Sequence, residues 1–271
     1  MKTVRVMACE VRRLRGVRST WVLLVAALLV DAAVAAVLAR QAPAEELTIS
    51  QALRSVAAVV PVLPLPVAAL ASAALGALCY GHELRWPGLA ASRVTFGRRL
   101  RALAAKAAVV GVMSALLAVV TLVVDALVVR LALPAGVSAA PLLDPAGLSA
   151  ALERGGIGRP LLGFLGLVVV SGWVGLLATS LVRSATAGFL LTCALPAALE
   201  PTAGLVLHRA GRDWPLWGRE LMPFQYGLNW VRGTAGRAAA ALDGVVIAAV
   251  LVPAVLLVLA AVLAQLRRRS L

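Results

Sequence analysis

Long apolar runs alternate with short charged connections along this chain, and the alternation predicts its elements. The run 20–39 is about 20 residues, enough at 1.5 Å per residue to cross a ~30 Å hydrocarbon core. Runs at 55–80, 107–133, 161–182, 185–207 and 244–265 repeat the pattern, so the reading is six membrane-spanning helices in a single domain, residues 1–271. The span at 107–133 exceeds the length needed and predicts a tilted helix, with helical structure starting near Arg98.

Three segments depart from this simple alternation. Val4, Met7, Val11 and Leu14 recur at three and four residues within a stretch otherwise rich in Arg and Lys. That spacing predicts a helix lying in the membrane interface before the first span, rather than a frayed basic tail. A secretory signal also opens basic, but its apolar region is shorter and ends at a small-residue cleavage site, so 20–39 reads as an uncleaved span. The run at 55–80 contains Pro61, Pro64 and Pro66. Each proline removes a backbone donor and clashes with the preceding turn, so a straight helix is not expected. Two readings stand open: a kinked span serving as hinge or cavity lining, and an irregular or re-entrant outer section. Finally, 134–160 is broken by Pro141 and Pro145 and is read as an outer loop, while 208–237, with Trp214, Trp217, Tyr226 and Trp230, is read as outer interfacial structure.

Composition and charge then set class and orientation. The chain is 62% hydrophobic and 14% charged, with mean hydropathy +0.95, against roughly half apolar and a quarter charged for soluble domains. A net charge of +14 suggests nucleic acid in a soluble protein, but no basic stretch is interleaved with aromatics as a binding groove requires. The basic residues instead flank the spans, where they fix orientation and meet anionic lipid. With both termini inside, the inner segments hold sixteen of the 26 Lys and Arg and only two of the 12 acids, Glu10 and Glu83. The expected architecture is therefore an all-α integral protein of the cell membrane, N-in and C-in. The connection 81–106, carrying His82, Glu83, Arg85, Arg93, Arg98, Arg99, Arg101 and Lys106, is its main inner loop.

Candidate chemistry is sparse. There is no G-x-x-x-x-G-K-[ST] and no G-x-S-x-G. His82 and His208 fall on opposite predicted faces, and Cys9, Cys79 and Cys193 have no paired spacing. No catalytic, metal or cofactor residue is assigned, and the chain is not read as an enzyme. Within the spans stand Asp31, near mid-membrane, and Asp125, nearer the outer end of its span; Glu200 sits between Pro196 and Pro201 at an outer helix break. Intramembrane acids are functional candidates by default. Their structural alternative is a hydrogen bond between helices, and Asp31 has no evident mate at its depth.

These features resemble a family. The segment EVRRLRGVRSTW (10–21), the loop core GHELR (81–85), its continuation FGRRLRALAAK (96–106) and the basic end LRRRSL (266–271) are similar to the membrane, or permease, subunit of type 2 ATP-binding-cassette (ABC) exporters. Trp86, Pro87 and Gly88 stand where such permeases often carry a Gly-Thr-type turn. The resemblance implies a homo- or heterodimer of permease chains above two separate ATPase subunits that hold ATP and magnesium. It also implies a short cytoplasmic coupling helix near 89–96, with Glu83, Arg85, Trp86, Leu89, Phe96, Arg98 and Arg99 contacting the ATPase. The cargo would be hydrophobic or amphipathic. Two rival readings remain: a proton- or ion-coupled carrier using Asp31 and Asp125, and a membrane scaffold that transports nothing.

Overall fold

A computed structural model describes residues 3–41, 55–60, 63–85, 96–133 and 158–199, together with Thr202, Phe224, Leu228 and Val231. All regular structure among them is helical. Helix α1 spans Thr3–Gly16 and α2 Arg18–Arg40; α3 is Val67–Arg85, α4 Phe96–Ala132, α5 Gly158–Val182 and α6 Ala185–Ala194, which runs into a π-helical turn, Leu195–Leu199. Three segments are long and apolar enough to cross a membrane, Arg18–Arg40, Ala102–Ala132 and Pro160–Val182. They mark a membrane-embedded protein and match the spans expected at 20–39, 107–133 and 161–182. The span expected at 244–265, and Glu200, lie outside the described residues.

The distribution of side chains supports the membrane assignment. In α2 the buried residues are Thr20, Ala27, Asp31, Ala35 and Ala39, while Val22, Val25, Leu29, Val30 and Val37 point outward. Small and polar residues inside with branched aliphatics outside reverse the order of a water-soluble helix. In lipid the reversal is favourable, because small residues let helices approach closely and the aliphatics meet acyl chains. Helix α4 repeats the pattern: Ser114, Ala118, Thr121 and Asp125 are buried, and Val112, Leu116, Val119, Val123 and Leu127 are exposed.

The proline-rich run does not form one kinked span over 55–80. Residues 57–60 and 63–66 are non-helical, and α3 begins only at Val67, immediately after Pro66. Three prolines within six residues remove too many donors for a helix to continue, whereas a proline just before the first turn costs nothing there. Ala58 adopts a positive φ of 45°. Ser55, Val56, Ala57, Ala58, Val59 and Leu65 are nonetheless buried, as irregular backbone at membrane depth must be, since lipid cannot satisfy its polar groups. The open alternatives of the sequence thus resolve toward an irregular section, folded into the bundle. Residues read as outer interfacial structure also enter the core: Phe224, Leu228 and Val231 pack with Leu65, Ala69, Phe164 and Val168.

The tightest packing joins α3 and α5, which run parallel. A Cβ on Gly76 would strike the carbonyl oxygen of Gly172, and one on Gly175 would strike that of Ala73. Ser72 donates to the Val168 carbonyl at 2.7 Å and lies 2.6 Å from the Ser114 hydroxyl of α4. Helix α4 runs antiparallel to both, and the indole of Trp173 on α5 donates to the Ala107 carbonyl at 2.9 Å. Trp173→Phe keeps an aromatic ring and deletes this bond together with part of the indole's packing, so a loss of about 1 kcal/mol is expected in a mixed-micelle unfolding titration. The connection from α5 to α6 is two residues, as expected. Arg183 takes φ 59°, and Ser184 caps α6 by accepting from the Ala187 amide at 3.3 Å.

Candidate functional site

Among the described residues, two regions hold the charged groups buried in the bundle, one at the end where α1 docks and one deeper between α2 and α4. At the first, Met7, Val11 and Leu14 form the apolar face of α1 and pack with Cys79 and Tyr80 of α3, Val109, Val110 and Met113 of α4, and Leu176 of α5. The helix expected to lie in the interface therefore spends its apolar face on protein. Its Arg12 faces solvent, as does Arg18 at the start of α2.

Glu10 stands on that same packed face, and its carboxylate Oε1 accepts from Lys106 Nζ at 3.0 Å. Lys106 is 1% exposed and Glu10 12%, so the ion pair is largely removed from water. Such a pair is costly to break from one side, because the remaining charge loses its counter-charge away from water. In the sequence Lys106 stands with the charges of the 81–106 loop, and Glu10 is one of two acids on the inner side with no assigned partner. The signal for the pair was present, since Glu10 falls three residues after Met7 and four before Leu14, within the apolar stripe of α1.

The residues expected to couple to a partner emerge at this same end. Glu83 and Arg85 occupy the last turn of α3, and Phe96, Arg98 and Arg99 the first turn of α4. Trp86 and Leu89 lie outside the described residues. Helix α4 has 37 residues, of which the apolar part begins at Ala102. Its first turns extend past the apolar stretch, and α1 is fastened at Lys106, one turn inside it.

The second region holds Asp31 and Asp125. Ala27 shares a packed cluster with Leu117, and Ala35 and Ala39 share one with Val129. Helices α2 and α4 are therefore parallel, and Asp31 is level with Asp125. The two carboxyl groups are within electrostatic reach of each other. Asp31 is 1% exposed and Asp125 0%, and none of their oxygens has a hydrogen-bond partner among the described residues. The mate that Asp31 lacked in the sequence is thus supplied by a helix about ninety residues later. The pairing was hidden because relative depth along two helices of different length and tilt cannot be read from either run alone.

No family model, no curated protein and no solved structure matches the chain.

Proposed function

We propose that this chain is the permease subunit of an ABC-type exporter, forming with a second permease chain a path for a hydrophobic or amphipathic substrate. In this reading both termini are cytoplasmic, the full chain crosses the membrane six times, and two copies of a separate ATPase bind ATP and magnesium below it. The observation that carries the proposal is the gathering of α1, the last turn of α3 and the first turns of α4 at one end of the bundle, with α1 anchored there by Glu10 and Lys106. A partner seated on that end touches three helices at once. Force applied there reaches α2 through the Gly16–Val17 junction, α3 directly and α4 through its extended first turns.

Coupling of this kind requires contacts that differ between two states of the partner. Charged residues at the helix ends supply such contacts: Glu83 and Arg85 on one side of the connection, Arg98 and Arg99 on the other. The test is co-expression and co-purification of the full chain with candidate Walker-A ATPases from the same genome, an adjacent reading frame first where it encodes one, followed by ATPase assay in lipid nanodiscs. A stable complex is expected, with ATP turnover that responds to the permease and loses the response in Glu83→Ala/Arg85→Ala. Absence of a complex, together with turnover indifferent to the double substitution, overturns the reading.

A further inference from the structure

We propose that Asp31, Asp125 and Thr121 form an intramembrane site for one small monovalent cation, a proton or a sodium ion. The inference goes beyond the exporter reading and does not depend on it, since it concerns binding by this chain alone.

Most polar side chains buried in the bundle have found partners. Ser72 bonds Val168 and Ser114, Ser171 bonds Leu167, Thr192 bonds Gly188, and Lys106 bonds Glu10. Buried groups without partners are exceptions that need a cause. Thr20, Thr179 and the second carboxylate oxygen of Glu10 are isolated exceptions, each a single oxygen. Among the described residues, only between α2 and α4 do several lie together: both oxygens of Asp31, both of Asp125, and the hydroxyl of Thr121. Thr121 is 0% exposed and stands one helical turn before Asp125, so its hydroxyl lies on the same face of α4.

No counter-charge among the described residues answers the two acids. Arg40 and Arg130, on α2 and α4, are exposed at the helix ends. The titratable residues of α3 (Cys79, Tyr80, His82, Glu83 and Arg85) lie at its opposite end, and the adjoining irregular segment contributes only Ser55. Two like charges facing each other in a low-dielectric bundle repel and are poorly solvated. A monovalent cation held between them screens the repulsion and cancels one of the two buried negative charges, so both penalties fall. Carboxylate and hydroxyl oxygens are hard ligands and do not suit a soft metal. Calcium takes about six to eight oxygens and magnesium keeps several waters, more than two carboxyls and one hydroxyl in a dry bundle supply. That leaves sodium or a proton. The non-helical residues 57–60 lie beside this level, with Val56 packed against Ala35, Ala39 and Val129.

The experiment uses the full chain in phosphatidylcholine nanodiscs and dicyclohexylcarbodiimide, which adds to a protonated carboxyl in apolar surroundings. Intact-mass and peptide analysis are expected to find one adduct, on Asp31 or Asp125, forming about tenfold more slowly per pH unit on the alkaline side of the titration. If sodium is the ligand, sodium chloride slows the adduct and raises Tm relative to choline chloride at equal ionic strength. If the proton is the ligand, only pH acts. Asp31→Asn/Asp125→Asn should abolish the adduct and both responses. Thr121→Val, which keeps both carboxyls and the fold, should weaken the response several-fold. An adduct rate and Tm indifferent to both pH and sodium overturn the proposal, as do responses that persist unchanged in the Asn pair or in Thr121→Val.

Discussion

Gly175→Ala is expected to lower stability by about 3 kcal/mol, while Gly166→Ala on the same helix leaves it unchanged or slightly raised. Both substitutions add one methyl group to α5, and both carry the same gain in helix propensity, about 1 kcal/mol. They differ in what the methyl meets. At Gly166 there is nothing within 4 Å. At Gly175 the methyl runs into the Ala73 carbonyl oxygen, with the carbonyl carbon of the same residue at 2.9 Å and its Cα at 3.1 Å. A side chain in that place would rotate away, but main chain cannot. The helices must separate, and the Ser72 bond to Val168 stretches with them. Overpacking costs 1–3 kcal/mol when side chains can adjust, so a backbone obstacle belongs at the upper end. Gly76→Ala, which meets the Gly172 carbonyl across the same seam, should behave alike. Unfolding in mixed micelles measures all three. Equal midpoints for Gly175→Ala and Gly166→Ala would show that α3 and α5 are not in backbone contact.

The second large effect is expected at Glu10. Glu10→Ala leaves the Lys106 ammonium, 1% exposed, without the carboxylate that stood 3.0 Å away. Breaking a buried pair from one side costs about 3–5 kcal/mol. Much of that cost is avoided if the charge goes too, so Glu10→Gln/Lys106→Met should recover most of the loss. The local readout is a thiol. Cys79 is buried beneath α1 beside Leu14, whereas Cys9 is exposed on α1 itself. In Glu10→Ala, maleimide labelling of Cys79 should rise several-fold while that of Cys9 stays as it was. In the double variant Cys79 should be shielded again. Labelling of Cys79 that is identical in all three proteins would mean that the ion pair does not hold α1 in place.

Much of this architecture was legible in the runs of Val, Leu and Ala. The spans at 20–39, 107–133 and 161–182, the turn at Arg183 and Ser184, and the amphipathic helix before the first span all follow from periodicity and length. What escaped the sequence was the identity of partners. An apolar stripe on α1 says that the helix has a dry side, but not whether lipid or protein provides it. Glu10 and Lys106 are 96 positions apart, and no local rule links them. Three prolines predict that a helix fails without saying that the failed segment is then buried. Phe224, Leu228 and Val231 carry helical spacing, i, i+4 and i+7, but the neighbouring tryptophans point to the interface and mask it. The acid pair belongs to the same class: each residue was visible, and its partner was not.

The interlocked seam between α3 and α5 also has a mechanical consequence. With backbone against backbone at Gly76 and Gly175, the two helices cannot slide past each other by small steps, because no side-chain cushion lies between them. They move as one rod. The rod continues at its end, where Gly81 abuts Ala185 and Gly188 abuts Thr179, so that α6 is clamped as well. A tug on the last turn of α3 is therefore passed to α5 and α6 through main-chain contact, whereas α4 is joined to the rod by side chains, Ser114 to Ser72 and Trp173 to the Ala107 carbonyl.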